Sequence, residues 1–167
     1  YDAAGMIPEA LWVLGAVPAP DAMVHYHRGW LLERAGRREE AVGSYAMGSR
    51  APWQGCFPSR WESAGALRAA LRADPGDARA RLYLGNLLYD HQPERAVEEW
   101  ERAVRIDPAL GPAHRNLGFA YLRRGDAEEA VAAYRAALAA DRGDPLVLLE
   151  LDQAAEMAGV APEHRLR

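Results

Sequence analysis

Residues 113–141 read AHRNLGFAYLRRGDAEEAVAAYRAALAAD, and the spacing inside this stretch decides the fold. Gly118, Ala130, Tyr134 and Ala137 follow one another at intervals of 12, 4 and 3. Residues 24–49 repeat the pattern, with Gly29, Ala41, Tyr45 and Gly48 again at intervals of 12, 4 and 3. A third copy, Leu84-Gly85, Ala96, Trp100 and Ala103, has intervals of 11, 4 and 3 and so lacks one residue in its turn. Asp107-Pro108 follows that copy, and Asp74-Pro75 stands 33 residues earlier. The pattern has a packing reason. Small residues at Gly85, Ala96 and Ala103 let paired helices approach closely, while the large rings of Trp100 and Tyr134 fill the space between repeats. One such unit cannot bury its apolar face alone, so copies stack.

Helix punctuation agrees with the spacing. Asp77 is placed to cap a helix beginning near Ala78, and Pro93 suits the first turn of the next. Glu39-Glu40, Glu98-Glu99 and Glu128-Glu129 stand early in second helices, where they favour the helix dipole. Gly36 and Gly125 fit the turn between paired helices, and the Asp-Pro pairs end one repeat and open the next. The pattern predicts nine helices, over about 7–17, 22–34, 37–49, 59–73, 78–90, 93–106, 111–124, 127–140 and 145–158. No stretch alternates with period two for long enough to make a strand. A single array over 1–167 follows: a half repeat at 1–20, a repeat at 22–50, an irregular loop and helix at 51–75, repeats at 77–108 and 111–142, and a capping helix at 145–158. In the half repeat, Gly5, Ala10 and Leu14 take the places of Gly125, Ala130 and Tyr134. In the capping helix, Leu148, Leu151 and Ala155 hold the pairing positions.

These residues resemble the tetratricopeptide (TPR) pattern, in which an aromatic, Leu-Gly and Tyr lie in a first helix and Ala, an aromatic, Ala and Pro along a second. His114, Leu117-Gly118, Tyr121, Ala130, Tyr134 and Ala137 carry the resemblance in one repeat; Leu84-Gly85, Leu88, Ala96, Trp100, Ala103 and Pro108 carry it in another. The resemblance implies an all-α fold, a right-handed superhelical solenoid of antiparallel helix pairs whose first helices line an inner groove. A longer resemblance covers most of the chain. CFPSR (Cys56 to Arg60), LYLGNLLYD (Leu82 to Asp90) and LLELDQ (Leu148 to Gln153) look like the TPR region of certain large bacterial proteins of unknown function. In those proteins a β-rich domain related to galactose-mutarotase sandwiches comes first, which implies that this chain is a C-terminal portion.

Composition bounds the function. The chain has 167 residues, half of them hydrophobic, enough for one domain or one compact array with a sizeable core. Twenty basic residues oppose 24 acidic ones for a net charge of -4, which argues against a basic nucleic-acid binder. All twenty are Arg, as in proteins of GC-rich bacterial genomes, so clusters such as Arg123-Arg124 carry little meaning by themselves. No apolar run reaches the roughly 18 residues that span a bilayer, and no membrane partner is expected. Cys56 is alone, so no disulfide framework forms, and a cytoplasmic location is the expectation.

Candidate chemistry is sparse. His25 and His114 stand four residues before Gly29 and Gly118, where the TPR pattern has an aromatic, and are expected to pack between helices. His25 and His27 point about 200° apart on a helix and cannot share a metal. His91 falls in a turn and His164 in the tail. Cys56, Ser59 and Ser63 have no recognisable base beside them, and no phosphate loop, nucleophile elbow or dinucleotide fingerprint is present. No catalytic, cofactor or metal site is expected, and the chain reads as not an enzyme.

The groove face of the first helices is the better candidate. At about 100° per residue, Arg79, Tyr83, Asn86, Tyr89 and Asp90 lie opposite the pairing face of their helix. Arg115, Asn116, Phe119 and Arg123 match them downstream, Glu150, Gln153 and Glu156 on the last helix, and Tyr26, His27, Trp30 and Arg34 upstream. Aromatics interleaved with Arg, Asn and acids suit an extended peptide or a partner helix. The expected function is a protein-interaction scaffold, with Tyr83, Tyr89 and Phe119 burying apolar groups of the partner. Two alternatives stand beside it: packing on the β-rich domain of the same parent chain, and self-association as a weak homo-oligomer through Leu11, Trp12 and Leu14. Some chaperone-linked TPR domains clamp a C-terminal carboxylate with two Asn and several basic groups. Asn86 and Asn116 match the Asn pair, but Leu82, Leu146 and Glu150 stand where basic groups belong, and Glu150 repels a carboxylate.

Overall fold

Asp caps or first-turn Pro residues open the helices that begin at Ile7, Ala22, Ala78, Pro93, Gly111 and Pro145, so the same devices recur along the chain. The computed structural model describes residues 6–18, 21–52, 56, 58, 61–141 and 144–161. Among the described residues there are nine α-helices: α1 (Ile7–Gly15), α2 (Ala22–Arg34), α3 (Arg38–Arg50), α4 (Ser63–Ala73), α5 (Ala78–Leu88), α6 (Pro93–Ile106), α7 (Gly111–Arg124), α8 (Ala127–Ala140) and α9 (Pro145–Met157). No strand occurs among them. Asp21 caps α2 by accepting from the Val24 amide at 2.9 Å, Asp77 caps α5 through the Ala80 amide at 2.9 Å, and Asp144 caps α9 through the Leu146 amide at 2.9 Å. Asp74 and Asp107 each close a two-residue turn, accepting from the amides of Gly76 and Ala109 at 2.8 and 3.1 Å. Gly36 and Gly125 end α2 and α7 in the left-handed region, at φ 79° and 88°, where a Cβ is strained.

The helix bounds follow the sequence expectation with three differences of two residues or more. Helix α1 ends at Gly15 rather than near 17. Helix α4 begins at Ser63, after a turn at Trp61 and Glu62, rather than near 59. Ser59 and Arg60 lie outside the described residues. Helix α5 ends at Leu88, so Tyr89 and Asp90 stand in the following turn and are freed from the helical register. Of the expected irregular loop, residues 51, 52, 56 and 58 are described and none is helical. Gly5 and His164 also lie outside the described residues.

The chain forms two compact units, Tyr1–Leu87 and Leu88–Arg167. In the first, α2 packs antiparallel on α3. A Cβ on Gly29 would overlap the Tyr45 ring, which is why a glycine is needed there. Gly48 of α3 similarly makes room for the ring of Tyr26, whose Cε1 and Cζ would lie 3.0 Å from a Cβ at that position. Trp30 of α2 rests over Gly65 of α4. Helix α1 is the exception: none of its described residues is fully buried, and Ala10 and Leu14 are half-buried.

In the second unit, α7 pairs with α8 through the same device. Three atoms of the Tyr134 ring would stand 2.9 Å from a Cβ on Gly118. Ala130, Val131, Tyr134 and Ala137 of α8 join Val147, Leu151, Ala154 and Ala155 of α9 in one buried cluster. Trp100 of α6 is buried, and Tyr121 of α7 donates to Glu101 of α6 at 3.1 Å. Burial and that carboxylate push the Tyr121 hydroxyl up to about 12.

Candidate interaction surface

In the first unit the expected groove aromatics turn inward. Tyr26 is 0% and Tyr83 1% exposed, so neither presents a ring to a partner. This corrects the expectation drawn from the helical wheel. The wheel considers one partner helix, whereas a first helix in an array is also covered from the side. Tyr26 lies edge-on to Tyr83, with ring centroids 6.3 Å apart and planes at 73°. Its hydroxyl donates to both carboxylate oxygens of Asp77, at 3.1 and 2.9 Å. Asp77 therefore serves two elements at once, the start of α5 and the core of α2. Burial raises the Asp77 carboxyl above the ordinary range, against the lowering pull of the Ala80 amide and the Tyr26 hydroxyl. Burial first, then the charge of Asp77, pushes the Tyr26 hydroxyl far up. Burial and the neighbouring Cys56 thiol raise Tyr83 as well, and Cys56 is itself buried.

The other first-unit candidates are engaged within it. The Arg79 guanidinium donates to the Ala51 carbonyl and so ties α5 to the end of α3. Trp30 is half-buried, with the Arg34 guanidinium 5.2 Å from its ring centroid and the His27 ring at 6.4 Å. Asn86 is half-buried. Sequence reasoning missed the partner of Ser63, because it lies 36 residues away: His27 Nε2 stands 3.1 Å from Ser63 Oγ. Ser63 is buried and burial lowers the His27 imidazole below its usual range. Among the described residues no carboxylate hydrogen-bonds the His27 ring, so the pair lacks the third member that orients a catalytic base. His25 is half-buried, and its imidazole is also lowered by burial.

In the second unit a true surface remains. Phe119 is 43% exposed, its ring 5.8 Å from that of Tyr89, which in turn lies 5.3 Å from Trp100. The buried Trp100 thus anchors a row of three rings that ends at the exposed Phe119. Arg123, one turn along α7, holds its guanidinium 6.0 Å from the Phe119 centroid. Asn116 is half-buried and Gln153 exposed. Arg115 is committed elsewhere. It makes a forked pair with Glu150 of α9, Nε to Oε2 at 2.9 Å and Nη2 to Oε1 at 2.7 Å, with Asp144 at 3.9 Å. That hydrogen bond with Glu150 raises the guanidinium further, although burial opposes it. His114 is half-buried, and its Nε2 stands 3.0 Å from the Pro108 carbonyl oxygen.

A cleft of about 380 Å³ opens beside Tyr89, between the start of α6 and the end of α7, and Asp90 and Arg123 both line it. Among the described residues no group of three or more His, Cys, Asp and Glu could hold a metal ion. No described helix is long and apolar enough to cross a membrane.

The comparisons with known proteins concern the helices. Two segments match family models described as tetratricopeptide repeat, residues 62–92, spanning α4 and α5, and residues 111–144, spanning α7 and α8. No curated protein matches the chain. Among solved structures, a crystal structure of MamA is similar with a TM-score of 0.56 and 19% identity, covering 92% of this chain and 77% of that one. A second MamA crystal structure gives a TM-score of 0.57 and 20% identity, covering 97% of this chain and 76% of that one. The first TPR of Spaghetti (RPAP3), bound to the HSP90 peptide SRMEEVD, gives 0.53 and 17%, covering 86% of this chain and 99% of that one. Identity this low speaks for the fold alone. The chain is an all-α protein of the tetratricopeptide-repeat fold, with repeats matched at residues 62–92 and 111–144.

Proposed function

We propose that this chain is a non-catalytic interaction module, and that its second unit holds a segment of a partner protein against the Tyr89–Phe119 surface. Phe119 carries the reading: a large ring left 43% exposed yet fixed by Tyr89 beneath it and Arg123 beside it. A ring already held in place adds apolar contact on binding with little further loss of freedom. Arg123, Asn116 and Gln153 supply a polar rim that orients the incoming chain. The TPR of Spaghetti (RPAP3) holds an HSP90 peptide, and its likeness in fold supports a peptide as the class of partner. A peptide ending in acidic residues suits this surface poorly. Arg115 already serves Glu150 and Asp144, so an arriving carboxylate meets Glu150 as a like charge.

Affinity capture from the source cells, with the wild-type chain and Phe119→Ala side by side, tests the proposal. A partner held by the wild type and lost from the variant, with unchanged circular dichroism, supports it. A partner held equally by both moves the site off this surface. If neither holds a partner, the reading shifts to the alternative, packing on another part of the same polypeptide. Self-association is a second reading, favoured by α1, whose Trp12 is 76% exposed. Light scattering that finds a monomer at every concentration removes it.

A further inference from the structure

We infer that the cleft beside Tyr89 selects partner segments by paired charge, taking a bulky apolar side chain flanked by one basic and one acidic residue. This deepens the peptide-binding reading of the second unit and rests on it. The apolar part of the lining is Tyr89, Pro93, Val97 and Ala120. The charged part has both signs, contributed by different elements: Asp90 in the turn after α5 and Glu94 in the first turn of α6, against Arg123 in the last turn of α7. Among the described residues none of these three has an ion-pair partner, although all line one cleft. Arg124, also in the lining, is different, because Asp126 holds it at 2.7 Å.

Opposite charges that share a cleft without neutralising each other are left for an occupant to satisfy. A segment with both signs meets Asp90 and Glu94 with its cation and Arg123 with its anion. A segment with one sign gains at one place and is repelled at the other, so rejection is built into the same residues that attract. The volume of about 380 Å³ is near the lower end of the range of roughly 300–1,000 Å³ for ligand pockets, which suits a side chain or two of a longer chain. Chain direction is not specified by this arrangement. Either order of the two charges around the apolar residue satisfies it, in opposite directions across the cleft.

The test uses three synthetic peptides, acetylated and amidated, with a Leu-Leu centre flanked by Lys and Glu, by two Glu or by two Lys. Binding to the ¹⁵N-labelled chain is followed by amide shifts at low salt. The mixed peptide is expected to bind at least fivefold more tightly than either single-sign peptide, with shifts at Asp90, Val97 and Arg123. Arg123→Glu makes the free charges of the cleft all acidic, and the two-Lys peptide then becomes the tightest. Asp90→Lys with Glu94→Lys makes them all basic, and the two-Glu peptide takes its place. Such a change of preference cannot come from misfolding. Equal binding of the three peptides to the wild type, no binding of the mixed peptide, or an order unchanged by Arg123→Glu overturns the inference. If the order is unchanged but Phe119→Ala abolishes binding of all three, the aromatic surface stands and only the charge selection falls.

Discussion

Asp77 offers a sharp test of how the first unit is held, because one carboxylate does two jobs and can be deprived of them in different combinations. Asp77→Ala removes the α5 cap and leaves the Tyr26 hydroxyl, in a side chain 0% exposed, without its acceptor. Loss of a cap costs about 0.5–2 kcal/mol. An orphaned buried hydroxyl costs about 1–3 kcal/mol. The sum, about 1.5–5 kcal/mol, corresponds to a fall in Tm of about 3–20 °C for a chain of this size. Asp77→Asn is different. Its amide oxygen accepts from Ala80 and Tyr26 as before, and Asn is as good a cap as Asp. It also removes a charge whose burial is unfavourable, so the variant is expected within about 1 kcal/mol of wild type at neutral pH.

The pH dependence separates hydrogen bonding from charge. Burial holds the folded-state carboxyl of Asp77 above its unfolded value. The folded chain therefore binds this proton more readily than the unfolded chain does. The contribution of Asp77 to stability is fully present below the unfolded pKa and is lost as pH rises through the folded one. Relative to Asp77→Asn, the wild type should gain stability as the pH falls from 7 towards 4, and the gain should saturate below the ordinary Asp value. Urea denaturation of both variants at several pH values measures it. If Asn proves as damaging as Ala at pH 7, or if the difference between wild type and Asn does not depend on pH, the assignment of the two roles is wrong.

Other positions give simpler outcomes. Gly118→Ala places a methyl 2.9 Å from three Tyr134 ring atoms and should cost about 1–3 kcal/mol by urea denaturation, while Gly43→Ala, with nothing within 4 Å in mid-helix, should stabilise by about 0.5–1 kcal/mol. A cost for Gly118→Ala no larger than at Gly43 would show that close approach is not what its glycine provides. The Arg115–Glu150 fork, between side chains 35% and 26% exposed, should give a coupling of about 1 kcal/mol in a double-mutant cycle with Gln at both positions, weaker in high salt. A coupling of zero at low salt would contradict its role as a tie between α7 and α9.

The helices were legible because their signals are local. An Asp cap, a Pro in the first turn and a Gly beyond the last can each be read within a few residues: Asp21 and Asp77 open α2 and α5, Pro93 and Pro112 the first turns of α6 and α7, and Gly125 closes α7. The Gly118–Tyr134 approach was legible as a repeated interval, though only the structure shows the ring lying against the glycine. What escaped was non-local. Asp77 reads as a cap, and nothing near it in sequence announces Tyr26, 51 residues away. Gly48 reads as a small residue of the repeat, without showing that the space it leaves takes that same ring. The Ser63–His27 contact escaped for the same reason, and the start of α4 was misplaced because residues 59–62 carry no distinctive stop or start.

Counting from the repeat glycine of each first helix sorts the candidate residues better than the helical wheel does. Three residues before Gly29, Gly85 and Gly118 stand Tyr26, Leu82 and Arg115. Tyr26 and Leu82 are buried, and Arg115 is drawn into its fork with Glu150. That register faces a neighbouring element, and it consumes whatever side chain it carries. One residue after the same glycines stand Trp30, Asn86 and Phe119. In two of the three an arginine follows one turn later and stands by the ring, Arg34 at 5.2 Å from Trp30 and Arg123 at 6.0 Å from Phe119. The two rings then part company for a local reason. Trp30 finds the bare backbone of Gly65 and settles on it, whereas Phe119 meets the ring of Tyr89, too large to let it sink, and stays 43% exposed. An aromatic in this register is left exposed where the element beneath it offers no glycine, which is why the proposed binding surface is placed at Phe119 and not at Trp30.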